Sequence, residues 1–261
     1  MEIPLIDFEM FAGGDALTQR DIARQIRQAC EAVGFFYLRG HGITQALQRE
    51  VWAQSHWFFD QPSSAKLRLT RSSETNCGYV GFQQERLDPS QPWDLKEALN
   101  VGLQSLWPAD QPDFKAAISR VYAHCTQQVA PQVLKAFAIA LDLPPGYFDD
   151  KHGDNYFLRL LHYPPVNHPL ADGQLRAGAH TDYGSITLLL QDEVGGLEVQ
   201  TRDGRWIPAP PLPDTVVVNV GDAMQRWTND RLRSTLHRVN PRAGAQQHRY
   251  AVALFCDPNP E

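Results

Sequence analysis

The feature that most constrains the fold is a His-x-Asp triplet formed by His180 and Asp182, with a further histidine, His237, far downstream. Two imidazoles and one carboxylate form a ligand set that suits a divalent transition metal. The residues at 177–179 are typical of a turn that leads into an extended segment, in which alternate side chains share one face. The sequence therefore predicts that His180 and Asp182 point the same way and that Thr181 points away from them.

His237 lies in the segment 234–239, where alternating polar and apolar residues predict a second strand. A ligand set divided between distant segments requires a fold that places non-consecutive strands side by side, and a jelly-roll barrel does so. We therefore predict that His180, Asp182 and His237 bind one metal ion and form the catalytic centre. Three protein ligands leave coordination positions open for chemistry, as in the facial triad of non-haem Fe(II) oxygenases.

Arg249 strengthens this interpretation, because a triplet alone is weak evidence in a chain with nine histidines. Arg249 lies in 248–255, a predicted strand whose other residues are largely apolar. A guanidinium buried among apolar side chains is costly unless an anion pairs with it. Its planar fork fits a carboxylate through two parallel hydrogen bonds. The partner is therefore either the carboxylate of a ligand or a structural Asp or Glu.

Seven stretches of the chain carry a resemblance to a known family. They lie at 3–8, 31–43, 160–165, 180–189, 195–199, 217–229 and 234–239. In this order they resemble the plant-type, isopenicillin N synthase-like family of 2-oxoglutarate-dependent Fe(II) dioxygenases, and the resemblance covers nearly the whole chain. The part from 158 to 258 is similar to the catalytic region of that family.

The predicted fold class is α+β, with a double-stranded β-helix (jelly-roll) barrel buttressed by N-terminal and central helices. Residues 1–110 are expected to form an N-terminal helical and irregular region, and 111–261 a long helix with the catalytic core, in one cooperative unit. Helical periodicity predicts helices at 18–33 and 44–59, and a longer one at 112–141 that Pro131 kinks or breaks. A strand is predicted at 35–38. The segment 71–106 is rich in Gly, Pro and polar residues and shows few clear periods.

The resemblance implies 2-oxoglutarate- and O2-dependent oxidation, by hydroxylation or desaturation, of a small-molecule substrate at Fe(II). It implies that 2-oxoglutarate occupies two of the open metal positions and that Arg249 anchors its distal carboxylate. Tyr163 matches a family position whose hydroxyl also reaches that carboxylate, although a tyrosine that only packs at a strand end explains it equally well. The resemblance also implies ascorbate as a further reductant.

One departure from the family pattern lies beside Arg249. The family usually has Arg-x-Ser at this point, and the present chain has Ala251 in place of the serine. The loss of one such hydrogen bond costs about 0.5–1.5 kcal/mol, which weakens 2-oxoglutarate binding without excluding it. This departure keeps open a 2-oxoglutarate-independent Fe(II) oxidase of the same superfamily. A separate alternative is a non-catalytic jelly-roll module that binds a metal.

Composition restricts the class of partner. The formal net charge is −6, so broad electrostatic binding to nucleic acid or to an anionic membrane is not expected. The start of the chain lacks a signal-peptide pattern and contains no apolar run of membrane-spanning length. The four cysteines show no C-x-x-C spacing, which favours reduced thiols and a cytoplasmic location. The sequence specifies neither the substrate nor the oligomeric state.

Several other residues receive an expected role. Asn219 is a candidate to support a metal ligand, although an edge or turn position is the more ordinary role for such an asparagine. His41, His162 and His248 are expected to be structural or to face away from the site. Core packing is favoured over pocket lining for Phe82, Trp93 and Trp227. Arg159 and Arg226 are expected either to meet an anionic substrate or to form salt bridges and solvent contacts.

Overall fold

The computed structural model describes residues 2–109, 111–167, 169–241 and 244–260. The helices in these ranges are α1 (Ala16–Ala32), α2 (Gln45–Phe59), α3 (Ser63–Lys66), α4 (Pro112–His124), α5 (Ala130–Ala140) and α6 (Asp222–Trp227). The Asp15 side chain accepts a hydrogen bond from the Thr18 amide and caps α1, and the Thr44 hydroxyl caps α2 through Leu47. These caps satisfy amides that a helix start leaves without partners.

The long predicted helix of the middle region is interrupted as its proline suggests. α4 and α5 are joined by a π-helical turn at Cys125–Val129, directly before Pro131 in the first turn of α5. Proline lacks an amide hydrogen, so it is tolerated in a first helical turn but not within a continuous hydrogen-bonded ladder. The two helices keep the apolar face that packs on the barrel, with Ile118 and Phe137 fully buried.

The barrel consists of two sheets that face each other. The strands are β1 (Leu5–Asp7), β2 (Phe35–Arg39), β3 (Gly78–Val80), β4 (Glu97–Val101), β5 (His152–Tyr163), β6 (Ala177–His180), β7 (Ile186–Gln191), β8 (Leu197–Gln200), β9 (Trp206–Pro208), β10 (Thr215–Val220), β11 (His237–Val239) and β12 (Arg249–Pro258). The major sheet has the order β1-β2-β10-β7-β12-β5-β4-β3, and the minor sheet has the order β6-β11-β8-β9. The architecture is the predicted jelly-roll barrel with buttressing helices.

The N-terminal region contributes directly to the barrel. β1 and β2 extend one edge of the major sheet, and β3 and β4 form the other edge. The segment 71–106 therefore contains two strands that its composition did not reveal, because their pairing with β5 supplies the order that local periodicity lacks. The predicted boundary at 110 divides strands of a single sheet, and cooperative unfolding of the whole chain stays a prediction.

Alternation along the central strands divides the molecule into two interiors. Leu158, Leu160 and Val252 point outward into the large core beneath the helices. Leu161 and Ala251 point inward, into the space between the two sheets. The helices therefore bury the outer face of the major sheet, and the inner face is left to surround a cavity. No helix in the described ranges is long and apolar enough to cross a membrane.

Candidate active site

The two sequence-distant histidines lie side by side in the minor sheet. His180 ends β6, His237 begins β11, and the two residues are paired across the antiparallel ladder. With Asp182 they form a group of three candidate metal ligands whose nearest donor atoms all lie within 4.8 Å of one another. The aspartate Oδ1 lies 3.8 Å from the His180 Nε2 and 3.7 Å from the His237 Nε2.

Asp182 reaches this position by a route that strand alternation did not predict. β6 ends at His180, and Asp182 lies in the irregular segment that follows, where its carbonyl accepts a hydrogen bond of 2.7 Å from the Asp222 amide at the start of α6. Thr181 is tied to the same helix, because its hydroxyl donates to the Asp222 carboxylate at 3.1 Å. The irregular segment after β6, rather than a strand, therefore carries the carboxylate that lies beside the imidazoles.

Two neighbouring strands hold the aspartate in one orientation. Its Oδ2 accepts hydrogen bonds from the Thr187 hydroxyl at 2.6 Å and from the Asn219 amide at 2.7 Å. Oδ1 is thereby left facing the two imidazoles. The edge or turn role considered for Asn219 is wrong, because Asn219 is buried on β10 and contacts the candidate ligand directly. Sequence spacing gave no sign of Thr187, which pairs with Asn219 across the ladder.

Backbone carbonyls fix the tautomers of the imidazoles. The His180 Nδ1 lies 2.8 Å from the Gly178 carbonyl, and the His237 Nδ1 lies 3.1 Å from the Thr235 carbonyl. A carbonyl only accepts, so each Nδ1 carries the proton and each Nε2 offers its lone pair. Burial and the neighbouring His237 hold the pKa of His180 well below its ordinary value. That imidazole is therefore neutral near pH 7, as a metal ligand must be.

Arg249 lies at the start of β12, on the inner face, with 1% of its surface exposed. Its Nη2 donates to the Gln191 Oε1 at 3.2 Å, and its guanidinium carbon lies 4.7 Å from the centroid of the Tyr163 ring. Its Nε and Nη1 are buried and have no partner within the described part of the chain. Gln191, which the sequence reasoning missed, lies across the ladder from Ala251 and supports Arg249 from one side.

The triad and Arg249 open into one cavity of about 350 Å³, which is in the range of small-molecule sites. Tyr163 and Ala251 line it beside Arg249, and Phe157 and Phe255 form a stacked aromatic pair on its wall, with ring centroids 4.7 Å apart. The donor set fits a first-row transition metal, and the partnerless guanidinium atoms fit a carboxylate. The cavity can therefore hold a metal ion and an anionic ligand next to each other.

The three histidines considered outside the triad lie as expected, whereas three aromatic residues do not. His162 and His248 face away from the cavity and contact each other through ring nitrogens 2.8 Å apart, and the His41 Nδ1 accepts from the Ile43 amide. The expectation that Phe82, Trp93 and Trp227 are core residues is wrong. Their exposed fractions are 41%, 48% and 46%, and they lie outside the three core clusters.

The two further arginines differ in position. Arg159 lies on the inner face of β5, lines the cavity and forms an ion pair with Glu85. Arg226 is exposed on α6. A third arginine, Arg176, was not considered in the sequence and is fully buried, with its Nη2 donating to backbone carbonyls that include Gln247 at 2.6 Å. Only the tertiary structure distinguishes these three residues.

Two family profiles match the chain in sequence order. The profile described as the N-terminal region of a non-haem dioxygenase in morphine synthesis matches residues 3–123. The profile described as the 2OG-Fe(II) oxygenase superfamily matches residues 155–258. The second range contains the triad, Arg249 and Tyr163.

Individual relatives agree over nearly the full chain. The 2-oxoglutarate-Fe(II) type oxidoreductase hxnY of Emericella nidulans is 34% identical, over 99% of this chain and 80% of its own length. A full-length Neurospora crassa protein, crystallised in complex with alpha-KG, is 38% identical, with a TM-score of 0.90, 98% of this chain covered and 85% of that one. The structure of JOX2 in complex with 2OG, Fe and JA is 26% identical, with a TM-score of 0.82, covering 99% and 75%.

Proposed function

The chain belongs to the 2OG-Fe(II) oxygenase superfamily and is an Fe(II)- and 2-oxoglutarate-dependent oxidoreductase of a small-molecule substrate, and on this premise we propose that His180, Asp182 and His237 are its metal ligands. We further propose that Arg249 and Tyr163 bind 2-oxoglutarate. The reaction is hydroxylation or desaturation at a carbon of the substrate. Ascorbate is proposed as an accessory reductant on the family resemblance alone.

One observation carries the assignment of Arg249. A guanidinium with 1% of its surface exposed keeps two donor atoms without a partner in the described ranges, and these atoms lie beside the cavity that holds the triad. Leaving a buried donor unsatisfied costs about 1–3 kcal/mol, so unpaired donors beside a cavity are candidate contacts for a ligand. A carboxylate is the acceptor that matches the two free positions.

Each protein group has a defined task in this reaction. When bound, Fe(II) with 2-oxoglutarate and O2 supplies the oxidising chemistry, which yields succinate and CO2. The Gly178 and Thr235 carbonyls keep each Nδ1 protonated, so that His180 and His237 present Nε2. Thr187 and Asn219 keep one aspartate oxygen directed at the metal position. The apolar side chains in the cavity lining limit the access of water to the reacting groups.

The co-substrate and the substrate share one small cavity. Its volume of about 350 Å³ must accommodate both molecules, so the substrate is of metabolite size. The small side chains of Ala251 and Ala253, which line the cavity, provide this room. The same Neurospora crassa protein was also crystallised in complex with alpha-KG and thymine, which is consistent with a substrate of that size.

Ala251 raised the question of an Fe(II) oxidase that does not use 2-oxoglutarate. Retention of a buried Arg249, together with Tyr163, favours the co-substrate over that alternative. Burial raises the pKa of Tyr163, so its phenol stays protonated and is able to donate to a carboxylate. The triad and the anchor together also disfavour a purely structural metal module.

The decisive experiment measures metal binding and coupled turnover in His237→Ala. We expect the variant to lose stoichiometric Fe(II) and to lose succinate release below detection, with an unchanged melting profile of the metal-free protein. His124→Ala, which replaces a histidine on α4 that contacts the Gly42 carbonyl, is the matched control and keeps both. Full metal content and activity in His237→Ala would exclude the proposed ligand set.

The cysteines and the net charge bear on the location of the protein and on its macromolecular partners. We propose a cytoplasmic location because the four cysteines are free and buried, which suits a reducing compartment. The expectation that the chain binds neither nucleic acid nor a membrane rests on its acidic net charge and stays a prediction.

A further inference from the structure

The cavity has a second polar wall, on the side of β4 and β5. It consists of Arg71, Asn76, Glu85, Lys96, Asn100 and Arg159, all of which line the cavity. None of these residues has a task in holding the metal or the 2-oxoglutarate carboxylate. A polar wall inside a small-molecule pocket fixes the orientation of whatever binds there, so this wall is a candidate for substrate recognition.

Arg159 is the central member of the polar wall. It pairs with Ala253 of β12 on one side and with Asn100 of β4 on the other. Its Nη2 donates to the Glu85 carboxylate at 2.5 Å, and Glu85 also contacts Lys96 at 3.5 Å. Only 13% of the Arg159 side chain is exposed. Its buried Nε has no partner among the residues the structure describes, so Arg159 retains an unused donor.

Asn100 provides an unused acceptor in the same row of side chains. Its Nδ2 donates to the Asn76 carbonyl at 2.9 Å, which fixes the amide orientation because a flipped amide would place two oxygens together. The Asn100 Oδ1 is buried and finds no partner in the described portions of the chain. Both atoms belong to residues that line the cavity, and neither has a partner in the described ranges, so a ligand in the cavity is a candidate partner for each.

The donor and the acceptor belong to directly paired residues on neighbouring strands. The Cβ atoms of such a pair lie about 4.5–5.5 Å apart. The two side chains are therefore neighbours on the cavity wall, and together they suit a group that presents an oxygen acceptor and an N–H donor on one edge. A cyclic amide does so, because the ring holds its C=O and N–H on the same side. An open-chain amide is trans and places them on opposite sides, and a carboxylate has no donor to offer Asn100.

The surrounding residues favour a flat ring. Ala253, beside Arg159, leaves space above the sheet, and the Phe157–Phe255 pair provides an aromatic surface in the next row. Glu85 forms ion pairs with Arg159, Lys96 and Arg71, so the polar wall keeps a net positive charge, which suits the carbonyl oxygen of a ring. The Asn100 Oδ1 needs a donor, and a heterocycle with a ring N–H supplies one, whereas an ionised carboxylate does not.

We propose that Arg159 and Asn100 recognise the cyclic-amide edge of a planar nitrogen heterocycle, which is the substrate class of this enzyme. In this arrangement the Arg159 guanidinium donates to the ring carbonyl, and the Asn100 Oδ1 accepts from the adjacent ring N–H. The proposal rests on the proposed function, because it assumes that the substrate enters beside a bound metal and 2-oxoglutarate.

The test is anaerobic calorimetry on the Fe(II)- and 2-oxoglutarate-loaded protein with three probes. 2-Pyridone presents the complete cyclic-amide edge, N-methyl-2-pyridone lacks the N–H, and benzoate presents a carboxylate on a ring of the same size. We expect 2-pyridone to bind at least about tenfold more tightly than either of the others, as one lost hydrogen bond predicts. Equal or tighter binding of benzoate or of the N-methyl probe would overturn the proposal, and so would the absence of binding by all three.

Two substitutions test separately the proposed donor of Arg159 and the proposed acceptor of Asn100. Arg159→Lys keeps a cation beside Glu85 and loses the Nε donor, so 2-pyridone binding should weaken about tenfold. Asn100→Ala should remove the preference for 2-pyridone over its N-methyl form. Arg226→Lys, an exposed site on α6, is the matched control and should change neither quantity. Unchanged 2-pyridone binding in folded Arg159→Lys would contradict the assignment of Arg159, and an unchanged preference in Asn100→Ala would contradict that of Asn100.

A titration with 2-oxoglutarate separates this proposal from the proposed function. If the wild-type protein with Fe(II) does not bind 2-oxoglutarate, the proposed function is wrong irrespective of the probes. If 2-oxoglutarate binds normally to both variants and the probe affinities do not change, only the recognition by Arg159 and Asn100 is wrong. Thermal melting of each variant establishes that a loss of probe binding does not reflect unfolding.

Discussion

The two faces of the central strands differ in how completely their buried polar groups are hydrogen-bonded. On the outer face, beneath the helices, the Glu97 carboxylate accepts from the Lys66 ammonium at 2.8 Å, from the Tyr79 hydroxyl and from the His162 ring at 2.7 Å. On the inner face, Arg249 and Arg159 keep buried nitrogen atoms that have no partner in the described ranges. The same strands thus carry a fully hydrogen-bonded network on one face and buried donors without protein partners in the described ranges on the other.

This difference indicates that the inner face, where polar groups are unpaired, is the face that binds ligands. A buried polar group that is fully paired stabilises a unique packing, whereas an unpaired one is costly in the protein alone. The outer network therefore contributes to folding, and the inner groups are expected to contribute to binding. Substitutions on the two faces should separate these contributions, with stability changing on one side and ligand affinity on the other.

The largest effect is expected on the outer face, in Glu97→Gln. Lys66 and Glu97 form an ion pair with exposed side-chain fractions of 7% and 6%, and removal of one partner leaves a buried charge uncompensated. The free energy of unfolding should fall by about 3–5 kcal/mol. Chemical denaturation of the metal-free protein measures it. Glu50→Gln, which removes a surface pair with Arg120, should cost only about 0–1 kcal/mol.

The same substitution has a defined pH dependence. Burial alone would raise the pKa of Glu97, but hydrogen bonds from His162, Lys66 and Tyr79 outweigh burial and hold the pKa below its ordinary value of 4.5. The contribution of the carboxylate is thus complete above the pKa of the unfolded chain and is lost as the pH falls through the lower folded value. The stability gap between wild type and Glu97→Gln should be full at pH 7 and narrow below pH 4.5. A gap that widens in acid would refute this.

On the inner face, Arg249→Gln should affect affinity rather than folding. A charge-assisted pair contributes about 1.5–3 kcal/mol, so the dissociation constant of 2-oxoglutarate should rise at least about tenfold. Calorimetry with Fe(II) under anaerobic conditions measures this constant. The melting temperature should stay the same or rise, because the substitution removes a buried cation that forms no ion pair within the described ranges. Loss of stability with unchanged affinity would remove the distinction between the two faces.

Asn219→Ala tests the support of the metal position. The variant loses one of the two hydrogen bonds that orient the Asp182 carboxylate, and loss of such support lowers metal affinity by about 10–100-fold. Competition with a chromophoric chelator gives the affinity for Fe(II). Asn155→Ala, which removes an exposed contact to the Pro258 carbonyl, is the control. Equal metal affinity in the two variants would show that Thr187 alone orients the carboxylate.

The smallest effect is expected from Ala251→Ser. Ala251 lies on the inner face two residues beyond Arg249 and lines the cavity. A serine there adds one neutral donor beside the guanidinium, so 2-oxoglutarate should bind about 0.5–1.5 kcal/mol more tightly. A gain of about a thousandfold would show that Arg249 alone is an inadequate anchor. Loss of binding by a folded variant would show that the cavity requires the small alanine side chain.

Local sequence predicted the elements whose signals are local. Helical periodicity located α1 and α2 to within a few residues, because caps and apolar faces depend on neighbouring residues. β3 and β4 were missed, since their order comes from pairing with β5. The exposure of Trp93 and Trp227 was also mispredicted, because an aromatic side chain has no local mark of whether other elements cover it.

The sequence by itself determined the types of the candidate ligands, the candidate arginine anchor and the family, because these depend on residue identity and on order along the chain. Only the tertiary structure decided that Asp182 lies beyond the end of its strand, that Asn219 and Thr187 orient it, and that Arg159 is paired with Asn100. The physical reason is that hydrogen bonds and charge pairing act over a few ångströms between strands that are distant in sequence. Such contacts can be identified only once the register of the sheets is known.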